Sequence, residues 1–232
     1  SEAKVYKGHF EYKTFKHRYI GYLTFALNYW IHKLDVTGYH LVNLAIHILN
    51  GLIVYWLVIL TFRTPFLNSS NLKGCLNEIA LFASLLFACH PLQTQAVTYI
   101  WQRVTSLSVT FYGLSLVLYI LWRLTSKKTS SFAFQMPILF YLGSVISAVL
   151  AMKTKEIAFT LPVVIFLYEL MFFEEKLKKR LLYMTPLLLT MLIIPVSLLE
   201  TDKLKGDLIE NISEATRVDT NISRWVYLLT QF

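Results

Sequence analysis

Two short polar hinges carry the residues of this chain whose types and spacing suit chemistry. The first, HPLQTQAVTYIWQR, runs from His90 to Arg103 between two apolar runs. The second, Lys153-Thr154-Lys155-Glu156, also separates two apolar runs. If the apolar runs cross a bilayer in simple alternation, both hinges fall on one face. That face then holds His90, Gln93, Gln95, Gln102, Arg103, Lys153, Lys155 and Glu156. Ionisable groups at membrane depth are costly, so a cluster of them marks a site. Arg103, Lys153 and Lys155 are cationic donors suited to phosphate, arginine by its planar fork and lysine as a point charge. A lipid-linked phosphate fits the depth, with its tail in the bilayer and its phosphate at the hinges. Glu156 is either a base or the ion-pair partner of Lys155. His90 either caps a backbone carbonyl where the second span ends or contacts substrate. Gln93 and Gln95 are neutral and suit sugar hydroxyls or a solvated loop.

The elements that must position these hinges follow from composition. The 232 residues are 56% apolar and only 16% charged, with a mean hydropathy of +0.52. A soluble domain is nearer half apolar and a quarter charged. Several runs of about 20 apolar residues make this an all-α, polytopic membrane protein. About six spans are expected, at 39–62, 77–96, 104–124, 132–152, 157–173 and 180–199, forming a transmembrane region over 39–199. Residues 1–38 read as an outer loop. Within it, 15–34 has Tyr19, Leu23, Leu27, Trp30 and Leu34 at helical spacing. It is expected as an amphipathic juxtamembrane helix, on the membrane, on its own loop domain, or both. Residues 200–232 read as the start of a later outer loop. The first span carries His40, Asn43, His47 and Asn50 on one stripe, a pattern for interhelical hydrogen bonds rather than metal binding. Nothing in the sequence indicates a metal. Cys75 and Cys89, fourteen helical residues apart, stand about 20 Å from each other and cannot bridge.

The net charge of +8 does not imply nucleic acid, because the basic residues sit mainly in short loops between spans. The loops at 63–76, 122–131 and 174–180 hold Arg63, Lys73, Arg123, Lys127, Lys128, Lys176, Lys178, Lys179 and Arg180. The hinges hold Arg103, Lys153 and Lys155. The positive-inside rule therefore makes the loops cytoplasmic and the hinges external. The first 36 residues, with six more Lys/Arg, would be an outer loop. They lack the apolar core of a cleavable signal, so the chain reads as a partial one. Sequons at Asn68, Asn211 and Asn221 are compatible with the endoplasmic reticulum.

Four stretches in order resemble one family: GYLTFALNYWIHKLDVTGYHLVNLAIHILNGLIVYWLV, LFACHPLQTQAVTYIWQR, MKTKEIAFTLPVVIFLYEL and ISRWVYLLTQF. They are similar to bacterial relatives of the transmembrane and tetratricopeptide-repeat O-mannosyltransferases. The resemblance covers about Tyr19 to Phe232 and implies a GT-C-like fold. It implies transfer of mannose or another hexose from a polyprenyl-phosphate donor to a protein hydroxyl, on the periplasmic or lumenal face. The location implied is a bacterial inner membrane, or alternatively the endoplasmic reticulum. Matched by position, Lys155 and Glu156 correspond to the family's Lys-Glu pair, His90 to its His-Pro motif and Arg103 to the basic residue closing that hinge. Lys155, Arg103 and Lys153 are then the expected donor-phosphate ligands. His90, Gln95, Arg224 and Trp225 are the candidate substrate contacts, and Glu156 is the catalytic candidate. Gln95 stands where many relatives carry Glu, which weakens an acid role there. The family's catalytic acid lies in its first outer loop and is expected upstream of Ser1. The alternative is a GT-C-like scaffold or assembly subunit of a larger membrane complex that lacks catalysis.

Overall fold

A computed structural model of the chain describes residues 18–126 and 135–195. The chain divides into two compact units, Ser1–Ser197 and Leu198–Phe232, and every described residue belongs to the first. Among the described residues all regular elements are helical: α1 (Tyr19–His32), α2 (Val36–Phe62), α3 (Leu76–Cys89), α4 (Thr94–Thr98), α5 (Arg103–Ser126), α6 (Gln135–Thr154), α7 (Leu161–Phe172) and α8 (Leu177–Thr190). Short 3-10 turns precede α3, α4, α5 and α7. The protein is an all-α polytopic membrane protein. Among the described residues four helical segments are long and apolar enough to cross a bilayer: Val36–Phe62, Asn71–Cys89, Ile100–Ser126 and Met136–Thr154. Exposed leucines and aromatics such as Leu44, Leu52 and Trp56 on α2, and Phe82 and Leu86 on α3, suit lipid contact.

The segments expected as fifth and sixth spans have a different build. Glu156–Thr160 is a 3-10 turn running into the twelve-residue α7. Together they extend about 28 Å, close to the hydrocarbon thickness. Segment 180–199 begins inside α8, which carries Pro186 and ends at Thr190. Its last four residues lie outside the described residues.

α5 is the central helix, with half of its apolar window buried, against 6% for Asn71–Cys89. It packs closely on α6 through small residues. Ser115 Oγ donates to the Ser144 carbonyl at 2.8 Å, and Ser144 Oγ returns a bond to the Ser115 carbonyl at 2.8 Å. A Cβ at Gly113 would stand 2.6 Å from Ile53 Cγ2, so α5 can approach α2 this closely only without a side chain there. Small residues let helices meet by van der Waals contact where lipid gives no hydrophobic drive. The main apolar core, built from Leu60, Tyr119, Ile120, Leu161, Ile165, Met184 and Leu187, holds α2, α5, α7 and α8 together. A smaller cluster of Ala151, Met152 and Ala158 lies beneath the second hinge.

The second span stops at Cys89, seven residues before its expected end at 96. His90 precedes Pro91, and the proline ring disfavours helical geometry at the residue before it, here φ −66° and ψ 130°. The first hinge is consequently not a loop. It is a folded crossing made of the turn Pro91–Gln93, α4, and the turn Ile100–Gln102.

α1 turns into α2 within three residues. Lys33 takes a left-handed φ of 49°, its carbonyl accepts from Tyr39 Oη at 2.9 Å, and Asp35 caps α2 by accepting from the Thr37 amide at 3.0 Å. Ile20, Gly21 and Asn28 of α1 face the bundle, while Leu23, Trp30 and Ile31 remain exposed. A Cβ at Gly21 would lie 2.8 Å from Val104 Cγ2, so α1 lies directly against the start of α5.

Candidate functional site

The two hinges meet. Lys155 has extended backbone, φ −155° and ψ 140°, between the end of α6 and the turn that follows. Lys155 reaches α5, where its Nζ donates to Thr105 Oγ1 at 2.6 Å. Thr105 Oγ1 in turn donates to Gln102 Oε1 at 2.7 Å, so a line of polar contacts joins the second hinge to the first. Burial holds the Lys155 ammonium below the ordinary lysine value. The Arg18 charge adds to that and Glu156 opposes it.

Glu156 accepts from Arg18 Nε at 2.9 Å, at the N-terminus of α1, with both side chains partly exposed. α1 is also fastened to the first hinge. Trp101 stacks on Phe25 at 5.7 Å and meets Tyr22 edge-on at 5.7 Å. One helix thus touches both hinges.

Arg103 does not stand among the accessible cations. It is fully buried beneath the site. Its Nε donates to Asn43 Oδ1 at 2.8 Å, its Nη2 to the Tyr39 carbonyl at 2.9 Å, and its Nη1 weakly to the Thr24 carbonyl at 3.4 Å. Its guanidinium lies over the rings of Phe25 (4.7 Å) and Tyr39 (5.5 Å). Its fork is occupied by protein acceptors, so the structure places Arg103 beneath the accessible cations and not among them. Those acceptors are all neutral, so among the described residues its charge is solvated without being cancelled.

A pocket of about 140 Å³ opens beside this line. Gln93, Gln95, Gln102 and Thr105 give it neutral donors and acceptors, and Phe87, Leu92 and Val109 give it an apolar wall. His47 and Asn50 also line it but are already engaged. His47 Nε2 donates to the Ala88 carbonyl at 2.9 Å, and Asn50 Nδ2 donates to the Ser106 carbonyl at 3.0 Å. Asn50 Oδ1 accepts from Thr110 at 2.8 Å. With His40 Nδ1 donating to the Val97 carbonyl at 3.2 Å, the polar stripe of α2 forms hydrogen bonds between elements, as its spacing predicts.

The other expected residues fall as follows. His90 is exposed, and its Nδ1 accepts from the Leu92 amide at 3.2 Å. It caps the start of a turn, so the expected carbonyl cap is reversed. Gln95 is exposed on the pocket rim and Lys153 is half-exposed in the last turn of α6. Arg224 and Trp225 lie outside the described residues. Among the described residues no three His, Cys, Asp or Glu side chains gather into a metal-binding group.

Sequence reasoning missed Arg18 and Thr105, whose roles come only from tertiary contact. It also misplaced Arg123, counted above as a loop charge. Arg123 is in the last turn of α5, buried, and paired with Glu169 of α7 at 2.7 Å. A signal existed: Glu169 is the single charge in the apolar run LPVVIFLYELMF, and a lone acid inside a span needs a partner.

The chain is similar over part of its length to proteins named as O-mannosyl-transferases. It is 40% identical over 94 residues to Protein O-mannosyl-transferase Tmtc3 of Drosophila melanogaster, covering 37% of this chain and 10% of that protein. It is 35% identical over 99 residues to Protein O-mannosyl-transferase F38B6.6 of Caenorhabditis elegans, covering 42% and 13%. It is 37% identical over 90 residues to human Protein O-mannosyl-transferase TMTC3, covering 39% and 8%. No family model and no solved structure matches. The matched stretch spans only about a tenth of the length of these curated relatives, and what it establishes is partial-chain homology to the O-mannosyl-transferases.

Proposed function

We propose that the hinge end is the donor-phosphate site of a membrane glycosyltransferase, of which this chain forms a part. The reaction is transfer of mannose or another hexose from a polyprenyl phosphate to a protein hydroxyl on the periplasmic or lumenal face. Lys155 carries the reading. It is a half-buried ammonium whose hydrogen-bond partner among the described residues is the neutral hydroxyl of Thr105, and Thr105 in turn lines the pocket. Arg103, buried below with neutral acceptors, adds positive potential without contact. Lys153 supplies a second cation at the rim. Gln95, Gln93 and Gln102 face the sugar. The wider partners are membrane lipid and the acceptor protein.

In this reading the acceptor oxygen attacks the anomeric carbon as the bond to the lipid phosphate breaks, with inversion. Charge develops on the departing phosphate, and a fixed ammonium stabilises it more than it stabilises the bound donor. Glu156 is paired with Arg18; in this reading a carboxylate of the first outer loop takes the acceptor proton. The test is Lys155→Ala in the whole protein, in membranes, assayed with polyprenyl-phosphate mannose. Transfer should fall by about 10²–10³-fold while membrane insertion holds. Undiminished transfer would overturn the assignment.

A further inference from the structure

Lys155 and Glu156 are chain neighbours of opposite charge. An ammonium neutralised by its own neighbour would be a poor phosphate ligand, because the pair has little field left to offer. In the structure the two side chains hydrogen-bond to different groups: Lys155 Nζ to Thr105 Oγ1 at 2.6 Å, and Glu156 Oε1 to Arg18 Nε at 2.9 Å. Arg18 is in reach only because α1 is fixed, by Gly21 against Val104, by Trp101 against Phe25 and Tyr22, and by the Thr24 carbonyl on Arg103.

We infer that Arg18 is a positioning residue for the anion site: by holding Glu156 it keeps that carboxylate off Lys155, so that the ammonium stays available to a lipid-linked phosphate. The inference rests on the phosphate reading of Lys155 given above. Its physical content is an ordering by charge. Arg18, Glu156 and Lys155 together carry one net positive charge. Removing Arg18 leaves none and lets Glu156 turn to Lys155. Removing Glu156 leaves two. Removing both restores one and leaves Lys155 without a competitor. The pair is partly exposed on both sides, so little fold stability depends on it and its electrostatic role can be separated from a structural one.

The experiment measures binding of a short-chain polyprenyl monophosphate to the full-length protein in lipid nanodiscs. Arg18→Gln should weaken binding roughly tenfold, the scale of one opposite charge brought close to the ligand's cation. Arg18→Lys should bind as the parent does. Glu156→Gln should bind as tightly or more tightly. The double variant Arg18→Gln/Glu156→Gln should recover parental affinity, which a direct phosphate contact by Arg18 or a merely structural loss would not allow. Parental binding by Arg18→Gln, or a double variant as weak as Arg18→Gln, overturns the inference. Lys155→Ala separates the two levels. If it binds as the parent does, the phosphate site itself is wrong and this inference falls with it. If it loses binding while the double variant fails to recover, only the role of Arg18 is wrong.

Discussion

One helix, α5, carries an arginine at each end, and both are buried. Arg123 meets a carboxylate: its Nε lies 3.1 and 3.0 Å from the two Glu169 oxygens and its Nη2 lies 2.7 Å from Oε1. Tyr119 Oη adds a bond to Oε2 at 3.1 Å, and the rings of Trp122, Phe173 and Tyr183 enclose the guanidinium. Arg103 meets one amide oxygen and two backbone carbonyls. The residue type and the burial are the same, but the charge outcome differs. At the Arg123 end the charge is cancelled on the spot, and the pair sits beside the large apolar core as a joint between α5 and α7. At the Arg103 end a positive charge remains, beside a small core, a polar pocket and a half-exposed lysine. A helix bundle that keeps one end sealed and electrically closed can leave the other end charged for a ligand.

The sharpest way to break this comparison is to open the sealed end. Glu169→Gln leaves a buried guanidinium without its counter-charge, which should cost about 3–5 kcal/mol. Thermal unfolding of the purified protein in detergent reads this directly. Arg123→Met with Glu169→Leu removes both charges and should recover most of the loss, since a buried pair replaced by apolar groups is often close to neutral. An unchanged melting temperature in Glu169→Gln would show that the pair is not a joint.

Arg103→Met should do less. It strands Asn43 Oδ1, at about 1–3 kcal/mol, but it also removes a buried charge held by neutral acceptors. Its signature should be local: faster hydrogen exchange across α1, which loses the Thr24 tie, together with weaker polyprenyl phosphate binding. A loss as large as that of Glu169→Gln, spread over the whole bundle, would make Arg103 a second joint and erase the distinction between the ends.

How far the sequence shows this asymmetry depends on the scale of the signal. Class and helical content follow from apolar runs and turn residues, since a span must satisfy its own backbone. The polar stripe of α2 is legible because a 3.6-residue period is a local property. The register of the hinges is less so. His90-Pro91 does mark the end of α3, but that two further turns and α4 fill the gap before Arg103 depends on packing against α2. The candidate site is half legible. Lys155 can be singled out as an ionisable residue between apolar runs. Its partner Thr105 is fifty residues away, and Arg18 lies 138 residues from Glu156, distances over which no periodic pattern carries information. Arg103 is the instructive case. The chain shows an arginine beside a hinge, and only the fold shows that Asn43 and the Tyr39 carbonyl claim its fork.

A smaller effect tests how α1 holds the charged end in place. Gly21→Ala puts a methyl 2.8 Å from Val104 Cγ2, so α1 must lift or Val104 must turn, at about 1–2 kcal/mol. The cost should appear as exposure of α1 to protease in the native protein, with the Arg123 end unaffected. Val104→Ala in the same chain should restore protection.

The smallest effect is a titration. Burial first, then Arg18, holds the Lys155 ammonium below the ordinary lysine value of 10.5, against the pull of Glu156. Lys155 should therefore react with an amine-acylating reagent at a lower pH than an ordinary lysine, followed site by site by mass spectrometry. Between the lowered value and 10.5 the unfolded chain binds more protons than the folded one, so this group's contribution to stability rises as pH climbs through that window. Phosphate affinity runs the other way over the same window, because the ammonium that holds the anion is being lost. Arg18→Gln removes one of the two influences lowering the value and should return the acylation midpoint toward 10.5. A midpoint that does not move would mean that Arg18 exerts no field at Lys155, and the potential of the charged end would then come from its other cations.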